Sequence, residues 1–268
     1  MKFFVLNSSG NVGKSLISRE LLYPRLEDSL IIEVETVNRG SKEMSHLNVE
    51  QFKSGDDFLN LYLKLMEIEN VIVDVGASNL AVFWEQMSEY AGIESLFDLF
   101  IIPTVPGDKE MTDTYKTILF LRSQGINDSK IKVIFNRIKN TVENDFSVLL
   151  SADFDFDTTL AIKESSLFKD LGFMKQTIAD IYNPNLDYYK SQILSAKEPK
   201  EKLLLVKKDL ANRMAVKTKE DLDYIFSSIS GLELFLEPID EKKDKDKERY
   251  VNEENELESE INDDDEEL

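Results

Sequence analysis

The sequence predicts an α/β fold, a mostly parallel sheet flanked by helices, and three observations predict it. Five short apolar runs rich in Val, Ile and Phe lack the clean alternation of half-exposed strands, so each suits a strand buried on both faces. Helix-like segments alternate with these runs. The first run passes straight into a glycine-bearing loop and then a helix.

The strands expected, in order, are Lys2–Leu6, Leu30–Val34, Val71–Val75, Phe97–Ile102 and Ile131–Phe135. Between them lie the helices Lys14–Leu22, ended before Pro24; Asp56–Ile68, apolar at Phe58, Leu59, Leu61, Leu63, Leu65 and Met66; Asn79–Tyr90; and Asp108–Gln124, ended by Gly125. Right-handed crossovers follow from that alternation. Beyond Asn136 the pattern is more helical. Glu164–Leu171, Asp187–Ala196, Glu201–Met214 and Lys219–Ser230 each read as helices, Phe154–Leu160 reads as a late strand, and Asn183-Pro184 and Glu198-Pro199 punctuate this half. From Glu241 onward a Lys/Asp/Glu mixture reads as a disordered acidic tail. The expected organisation is an α/β core over 1–182, a helical C-terminal extension over 183–240 and the tail over 241–268. No internal repeat is visible.

Composition narrows the chemistry. Of 268 residues, 42% are hydrophobic, enough for a real core. With no cysteine there is no disulfide, thiolate zinc site, iron–sulfur cluster or cysteine nucleophile. A single histidine, His46, leaves a Ser-His-Asp triad or a multi-histidine metal centre hard to build. The net charge is −20, and Glu241–Leu268 supplies −9 of it, five Lys/Arg against fourteen Asp/Glu. A field of that sign disfavours non-specific coating of DNA or adhesion to anionic lipid. Met1–Asn11 lacks the long apolar stretch and cleavage site of a signal peptide, and no run reaches 18 apolar residues, so the expected location is the cytoplasm.

The chemistry is concentrated in Asn7-Ser8-Ser9-Gly10-Asn11-Val12-Gly13-Lys14-Ser15. A phosphate-binding loop needs small residues so that successive backbone N–H groups can turn around an anion, and a helix start that favours negative charge. Ser9, Gly10, Asn11, Val12 and Gly13 supply the loop. Lys14 supplies a charge to the β- and γ-phosphates, and Ser15 a hydroxyl to Mg²⁺. The full G-x-x-x-x-G-K-[ST] pattern is not met, because Ser8 stands where its first glycine would be. The plain alternative, a glycine-rich turn that merely starts a helix, is disfavoured by the loop's place immediately after the first strand.

At these residues the sequence resembles the ParA/MinD class of deviant P-loop ATPases. Within that class SGNVGKS, ETVN after the second strand and VDVGASN after the third are similar to the StbB-type plasmid stability proteins. The resemblance covers about Met1 to Ile181, with a weaker echo near Asn212–Ile225. It implies a P-loop NTPase fold, ATP with Mg²⁺ as ligand, and a setting in plasmid maintenance or conjugation. It also implies roles. Glu35 falls where such proteins place a carboxylate that positions the attacking water, and Glu33, two residues earlier, shares its strand face. Asp74 stands where a Walker B aspartate meets the Mg²⁺ shell. Asn136 takes the position that reads adenine, with Arg137 beside it to stack on the base, touch phosphate or face solvent. Pro103 and Pro106 lie where the class lines the base pocket.

Two departures matter. The class carries a signature lysine at the place of Ser9, reaching across a nucleotide-sandwich dimer. Either another basic residue replaces it, or trans-activation is absent and hydrolysis slow. Glu35 also stands where many members have Asp, one methylene shorter.

One basic stretch interrupts the acidic chain. Lys197, Lys200, Lys202, Lys207, Lys208, Arg213, Lys217 and Lys219 oppose Glu198, Glu201 and Asp209. It reads as a solvated helix face, a direct DNA contact through 197–219, or a dock for the tail. The stripe Leu203, Val206, Leu210, Met214 has helical spacing and reads as core or dimer surface, not a membrane anchor. The expectation is a cytoplasmic Mg-ATP-binding protein, a slow ATPase acting as a switch in plasmid stability, partition or conjugative transfer, with a homodimer or a DNA-binding protein of the same plasmid system as partner. The alternatives are a nucleotide-binding adaptor without hydrolysis and a small-molecule kinase or ligase of the same superclass.

Overall fold

The five apolar runs form strands because each buries both of its faces. The computed structural model describes residues 1–34, 46–52 and 58–232. Its strands are β1 (Lys2–Val5), β2 (Leu30–Val34), β3 (Val49–Phe52), β4 (Val71–Val75), β5 (Leu99–Thr104), β6 (Ile131–Ile138) and β7 (Ala161–Lys163). They make one sheet in the order β3-β2-β4-β1-β5-β6-β7, every pairing parallel. The expected α/β class is the observed one. β1 is central, and the chain leaves it to one side for β2 to β4 before crossing to β5, so the ends of these strands form a crevice where the order reverses.

The register sorts the two faces. Phe4 and Val73 pair, as do Val5 and Asp74, so alternate residues of β1 and β4 face opposite layers. Phe4 is fully buried, with the rings of Phe83, Trp84, Phe97 and Phe100 at 5.6, 5.9, 5.0 and 5.7 Å. Burying each such side chain contributes about 1.5–3 kcal/mol. That layer is built by α2 (Phe58–Glu67), α3 (Leu80–Ser88) and α4 (Asp108–Ser123). On the opposite face Phe3 meets Phe226 at 6.4 Å.

The second layer begins at the loop. α1 (Lys14–Leu16) widens into a π-helical turn, Ile17–Leu22, and tightens into a 3₁₀ turn, Tyr23–Arg25, that holds Pro24. The expected helix Lys14–Leu22 is therefore present but not regular. Short helices α5 (Val142–Asp145) and α6 (Ser147–Leu150) precede β7, and α7 (Ser166–Met174), α8 (Ile178–Ile181), α9 (Tyr188–Ser195) and α10 (Pro199–Ser230) follow it. α10 packs against α7, α8, α9, β7 and the π turn.

The structure corrects several expectations. Glu201–Met214 and Lys219–Ser230 belong to one helix, because Ala215 is buried and no Gly or Pro interrupts 215–218. Pro199 starts it and left-handed Gly231, φ +66°, ends it. The expected strand Phe154–Leu160 is turn and loop. Its Asp/Phe alternation imitates a strand, yet Phe154 and Phe156 pack edge to face at 4.9 Å and Phe156 leans on Phe135 at 6.1 Å. Pairing starts only at Ala161. β3 is an edge strand of four residues, VEQF, too short and polar to register as an apolar run. β6 runs on past Phe135, so Asn136 and Arg137 lie inside it at a register shift, with Arg137 left-handed at φ +57°. β5 likewise includes Pro103. Leu203, Leu210 and Met214 are exposed, and α10 buries Asn212, Ala215, Leu222, Ile225, Phe226 and Ile229 instead, so the stripe is not core. ETVN, with Glu35, and the segment 233–268 lie outside the described residues.

Candidate functional site

The site grows from the end of β1. Leu6 N–H donates to the Ile101 carbonyl at 3.0 Å, and the chain then leaves the sheet at Asn7. Asn7 is fully buried and fixes the turn with every side-chain polar atom. Its Nδ2 donates to the Pro103 carbonyl and to Thr114 Oγ1, both at 2.9 Å, and its Oδ1 accepts from Ser9 N–H at 2.7 Å. Ser8 continues the attachment, with its N–H donating to Thr117 Oγ1 and its hydroxyl to the Asp113 carbonyl, each at 3.2 Å. The first half of the loop is thereby held to the middle of α4, at residues 113–117.

The second half turns through two left-handed residues, Asn11 at φ +58° and Gly13 at φ +102°. At Gly13 only glycine fits, since a Cβ there would overlap the Asn136 side-chain amide. Asn136, buried in β6, donates from Nδ2 to the Val12 carbonyl at 3.0 Å and accepts Arg137 N–H at 2.9 Å. Arg137 Nη2 reaches Asn11 Oδ1 at 3.3 Å. At Gly10 a Cβ would meet nothing within 4 Å, so the loop is open there. Among the described residues, the backbone N–H groups of Gly10, Asn11, Val12 and Gly13 meet no protein acceptor. A row of such donors is a cradle for an anion.

Lys14 crosses this cradle. Its side chain is buried, at 8% exposure for the residue, and its ammonium donates to the Ser9 carbonyl at 2.9 Å and the Asn7 carbonyl at 3.3 Å. A buried ammonium is costly unless its donors are satisfied or an anion is near. Ser15 follows in the first turn of α1, half-buried. Asp74 comes from β4 in register with Val5 of β1 and with Glu33 of β2. Both carboxylates are buried and lie side by side on the face covered by the loop helix. The structure thus brings Ser9, Gly10, Asn11, Val12, Gly13, Lys14, Ser15 and Asn136 into one loop region, with Asp74 on the strand beside it. The water-positioning expectation at Glu35 lies outside the described residues.

The residues fit a magnesium-bound polyphosphate. Four N–H donors and a buried ammonium suit the anion. Among the described residues no group of three or more His, Cys, Asp or Glu side chains is placed to hold a metal. Mg²⁺ is commonly held by one or two carboxylates with substrate phosphates completing its shell, which Ser15 and Asp74 can serve. Among the described residues, His46 Nε2 is approached by Asp180 Oδ2 at 3.3 Å and by Thr177 Oγ1 at 3.5 Å. A separate cavity of about 170 Å³, lined by Asp128, Lys132, Phe154 and Asp157 among others, opens at the far end of β6 from Asn136.

Sequence reasoning missed the α4 contribution. Lys109 Nζ lies 3.2 Å from Ser9 Oγ and 2.9 Å from Asp113 Oδ2. Thr114 and Thr117 anchor Asn7 and Ser8. No local pattern marks these residues, since the contacts join positions about a hundred apart; only the Thr-x-x-Thr spacing on one helix face hints at a polar seam.

No protein-family model matches the sequence, and no curated protein matches it. Solved structures similar to the chain include the MinD cell division protein of Aquifex aeolicus, 15% identical, covering 88% of this chain and 99% of that one, TM-score 0.47. Another is the septum site-determining protein MinD complexed with Mg-ADP from Pyrococcus horikoshii OT3, 15% identical over 80% and 95%, TM-score 0.44. A third is a ParA family ATPase from Chlorobium tepidum TLS, 13% identical over 78% and 97%, TM-score 0.44. The reading of the site rests on its own geometry.

Proposed function

We propose that the chain is a Mg-ATP-binding P-loop ATPase that works as a slow nucleotide-dependent switch in plasmid stability, partition or conjugative transfer. The observation that carries the nucleotide part is the buried Lys14 ammonium crossing a loop whose N–H groups at 10–13 meet no acceptor among the described residues. The plasmid setting rests on the resemblance of SGNVGKS, ETVN and VDVGASN to the StbB-type proteins.

The loop geometry supports the role given to Lys14, and the resemblance supports those given to Ser15, Glu35, Asp74 and Asn136. Lys14 exchanges its carbonyl partners for β- and γ-phosphate oxygens, and the loop N–H groups hold the chain of phosphates. Ser15 and Asp74 hold Mg²⁺, which when bound supplies Lewis-acid polarisation of the phosphoryl oxygens. Glu35 orients the attacking water. Asn136 sits under the second half of the loop, where its amide fixes Val12 and is the group assigned to adenine. The expected partners are a second copy of the chain and a DNA-binding protein of the same plasmid system. Direct DNA contact through 197–219 falls to exposed Lys197, Lys200, Lys202, Lys207, Lys208 and Lys217, because Arg213 and Lys219 are already paired with Asp209 and Asp223. Among the described residues no helix is long and apolar enough to cross a membrane.

The test is ATP binding and turnover by wild type and Lys14→Ala, with and without DNA and the product of a neighbouring gene. Losing a charge-assisted contact of this kind costs about 1.5–3 kcal/mol, so affinity falls at least tenfold. Unchanged affinity in a folded variant removes the nucleotide reading. Binding without turnover under every condition moves the chain to the adaptor alternative.

A further inference from the structure

We propose that Lys109 is a second phosphate-contacting cation of this site, held at the open rim of the loop by Asp113 and released to the terminal phosphate of a nucleoside triphosphate. The inference rests on the nucleotide reading above and adds a specificity-determining residue to it.

Ser9 is the meeting point of two ammonium groups. Lys14 Nζ donates to its carbonyl at 2.9 Å from within the fold. Lys109 Nζ reaches its hydroxyl at 3.2 Å from outside. The Lys109 side chain is 70% exposed, so its charge is open to an arriving anion, whereas Lys14 is enclosed. The reach of Lys109 is set by its helix, because Asn7 and Ser8 are bonded to Thr114, Thr117 and the Asp113 carbonyl. The middle of α4 is therefore tied to the loop, and Lys109, one turn before Asp113, stands at the loop's rim.

The exchange leaves no charge stranded. Asp113 also has Lys116 at 3.7 Å, so it keeps a cation when Lys109 departs. The hydrogen bond to Asp113 holds the Lys109 ammonium above its usual range, and the same bond holds the Asp113 carboxyl below its own. Both groups are thus ionised across the neutral range, and the competition is between two anions for one cation. A triphosphate places more charge at the rim than a diphosphate does, and a solvent-facing ammonium responds to that difference.

The experiment measures Kd for ATP and ADP, each with Mg²⁺, by titration calorimetry on the full chain. The proteins are wild type, Lys109→Ala, Lys109→Arg, Asp113→Asn and the Lys109→Ala/Asp113→Asn double variant. Lys109→Ala is expected to weaken ATP about fivefold and ADP less than twofold, while Lys109→Arg keeps the wild-type ratio. Asp113→Asn is expected to tighten ATP in the wild-type background and to do nothing in the Lys109→Ala background. A merely structural role for Lys109 moves both nucleotides together and leaves the two substitutions additive, and that result overturns the proposal. If wild type binds neither nucleotide, the loop reading fails and this inference falls with it. If wild type binds both and the ATP-to-ADP ratio of Lys109→Ala is unchanged, this inference alone fails.

Discussion

The side-chain amide of Asn136 occupies the space that any side chain at Gly13 would need, and the same nitrogen donates to the Val12 carbonyl at 3.0 Å. Residues 123 positions apart therefore determine each other. The left-handed turn at Gly13 lets the loop pass close over β6, and the amide from β6 then satisfies the carbonyl that the turn exposes.

Gly13→Ala combines a left-handed φ of +102° with that overlap, so it should destabilise the chain by about 1–3 kcal/mol from backbone strain, before the overlap is added. Asn136→Ala leaves the Val12 carbonyl without its donor, at about 1–3 kcal/mol. In the double variant the overlap is gone, so its loss should be smaller than the sum of the two. Urea unfolding of all four proteins measures the coupling. Strict additivity would mean that the two residues do not touch in solution.

Asp74 should matter to metal and not to the fold of the loop. It lies in register with Val5 and Glu33, buried on the strand beside the one that feeds the loop. Asp74→Asn keeps the shape and removes the charge. Wild type should bind ATP more tightly with Mg²⁺ than with EDTA, and Asp74→Asn should lose that gain while keeping its affinity in EDTA. An undiminished Mg²⁺ effect in the variant would place the metal elsewhere.

What could be read in the sequence followed local chemistry. Strands β1, β2, β4, β5 and β6 were legible because runs such as Val71–Val75 bury both faces and carry no alternation. The loop was legible because Gly10, Gly13, Lys14 and Ser15 stand at fixed spacing after a strand. What stayed hidden was set by tertiary packing. VEQF becomes β3 only because β2 offers an edge, and DFDFD stays out of the sheet because Phe156 finds Phe135. The seam of Thr114, Thr117 and Lys109 on the loop depends on α4 lying over the end of β1, a placement no short window of sequence contains.

Arg25 and Asp223 tie the end of the loop helix to α10. Arg25 Nη2 lies 2.7 Å from Asp223 Oδ1, with side-chain exposures of 6% and 15%. Burial pushes the Arg25 guanidinium down from its usual range and the Asp223 charge pulls it back. Breaking such a pair from one side strands a charge, so Asp223→Ala should cost about 3 kcal/mol. Arg25→Ala should cost more, since Nη1 also donates to the Glu20 and Leu21 carbonyls at 2.7 and 2.9 Å. Arg25→Met/Asp223→Leu should recover most of the loss of Asp223→Ala. Chemical unfolding checks the order, and a double variant as unstable as Asp223→Ala alone would show that the pair is not the linkage.

Glu20 gives the pH prediction. It sits in the π turn at 2% exposure, with Oε2 accepting Ile178 N–H at 3.0 Å and Oε1 accepting Arg19 Nε at 3.1 Å. Burial pushes its carboxyl up from the ordinary value of about 4.5, against the opposing pull of the Ile178 N–H and of Arg19. A carboxyl raised in the folded state binds its proton more tightly there than in the unfolded chain. Its contribution to stability is therefore whole below about pH 4.5 and is lost as pH rises toward the folded value. At neutral pH the charged form is a penalty. Glu20→Gln keeps an oxygen for Ile178 N–H and removes the charge, so it should be more stable than wild type at pH 7, with the difference shrinking to nothing below about pH 4.5. Urea unfolding of both proteins between pH 4 and 8 measures the difference directly. A variant less stable than wild type at pH 7 would mean that the Arg19 contact outweighs burial, and the sign of the shift would be reversed.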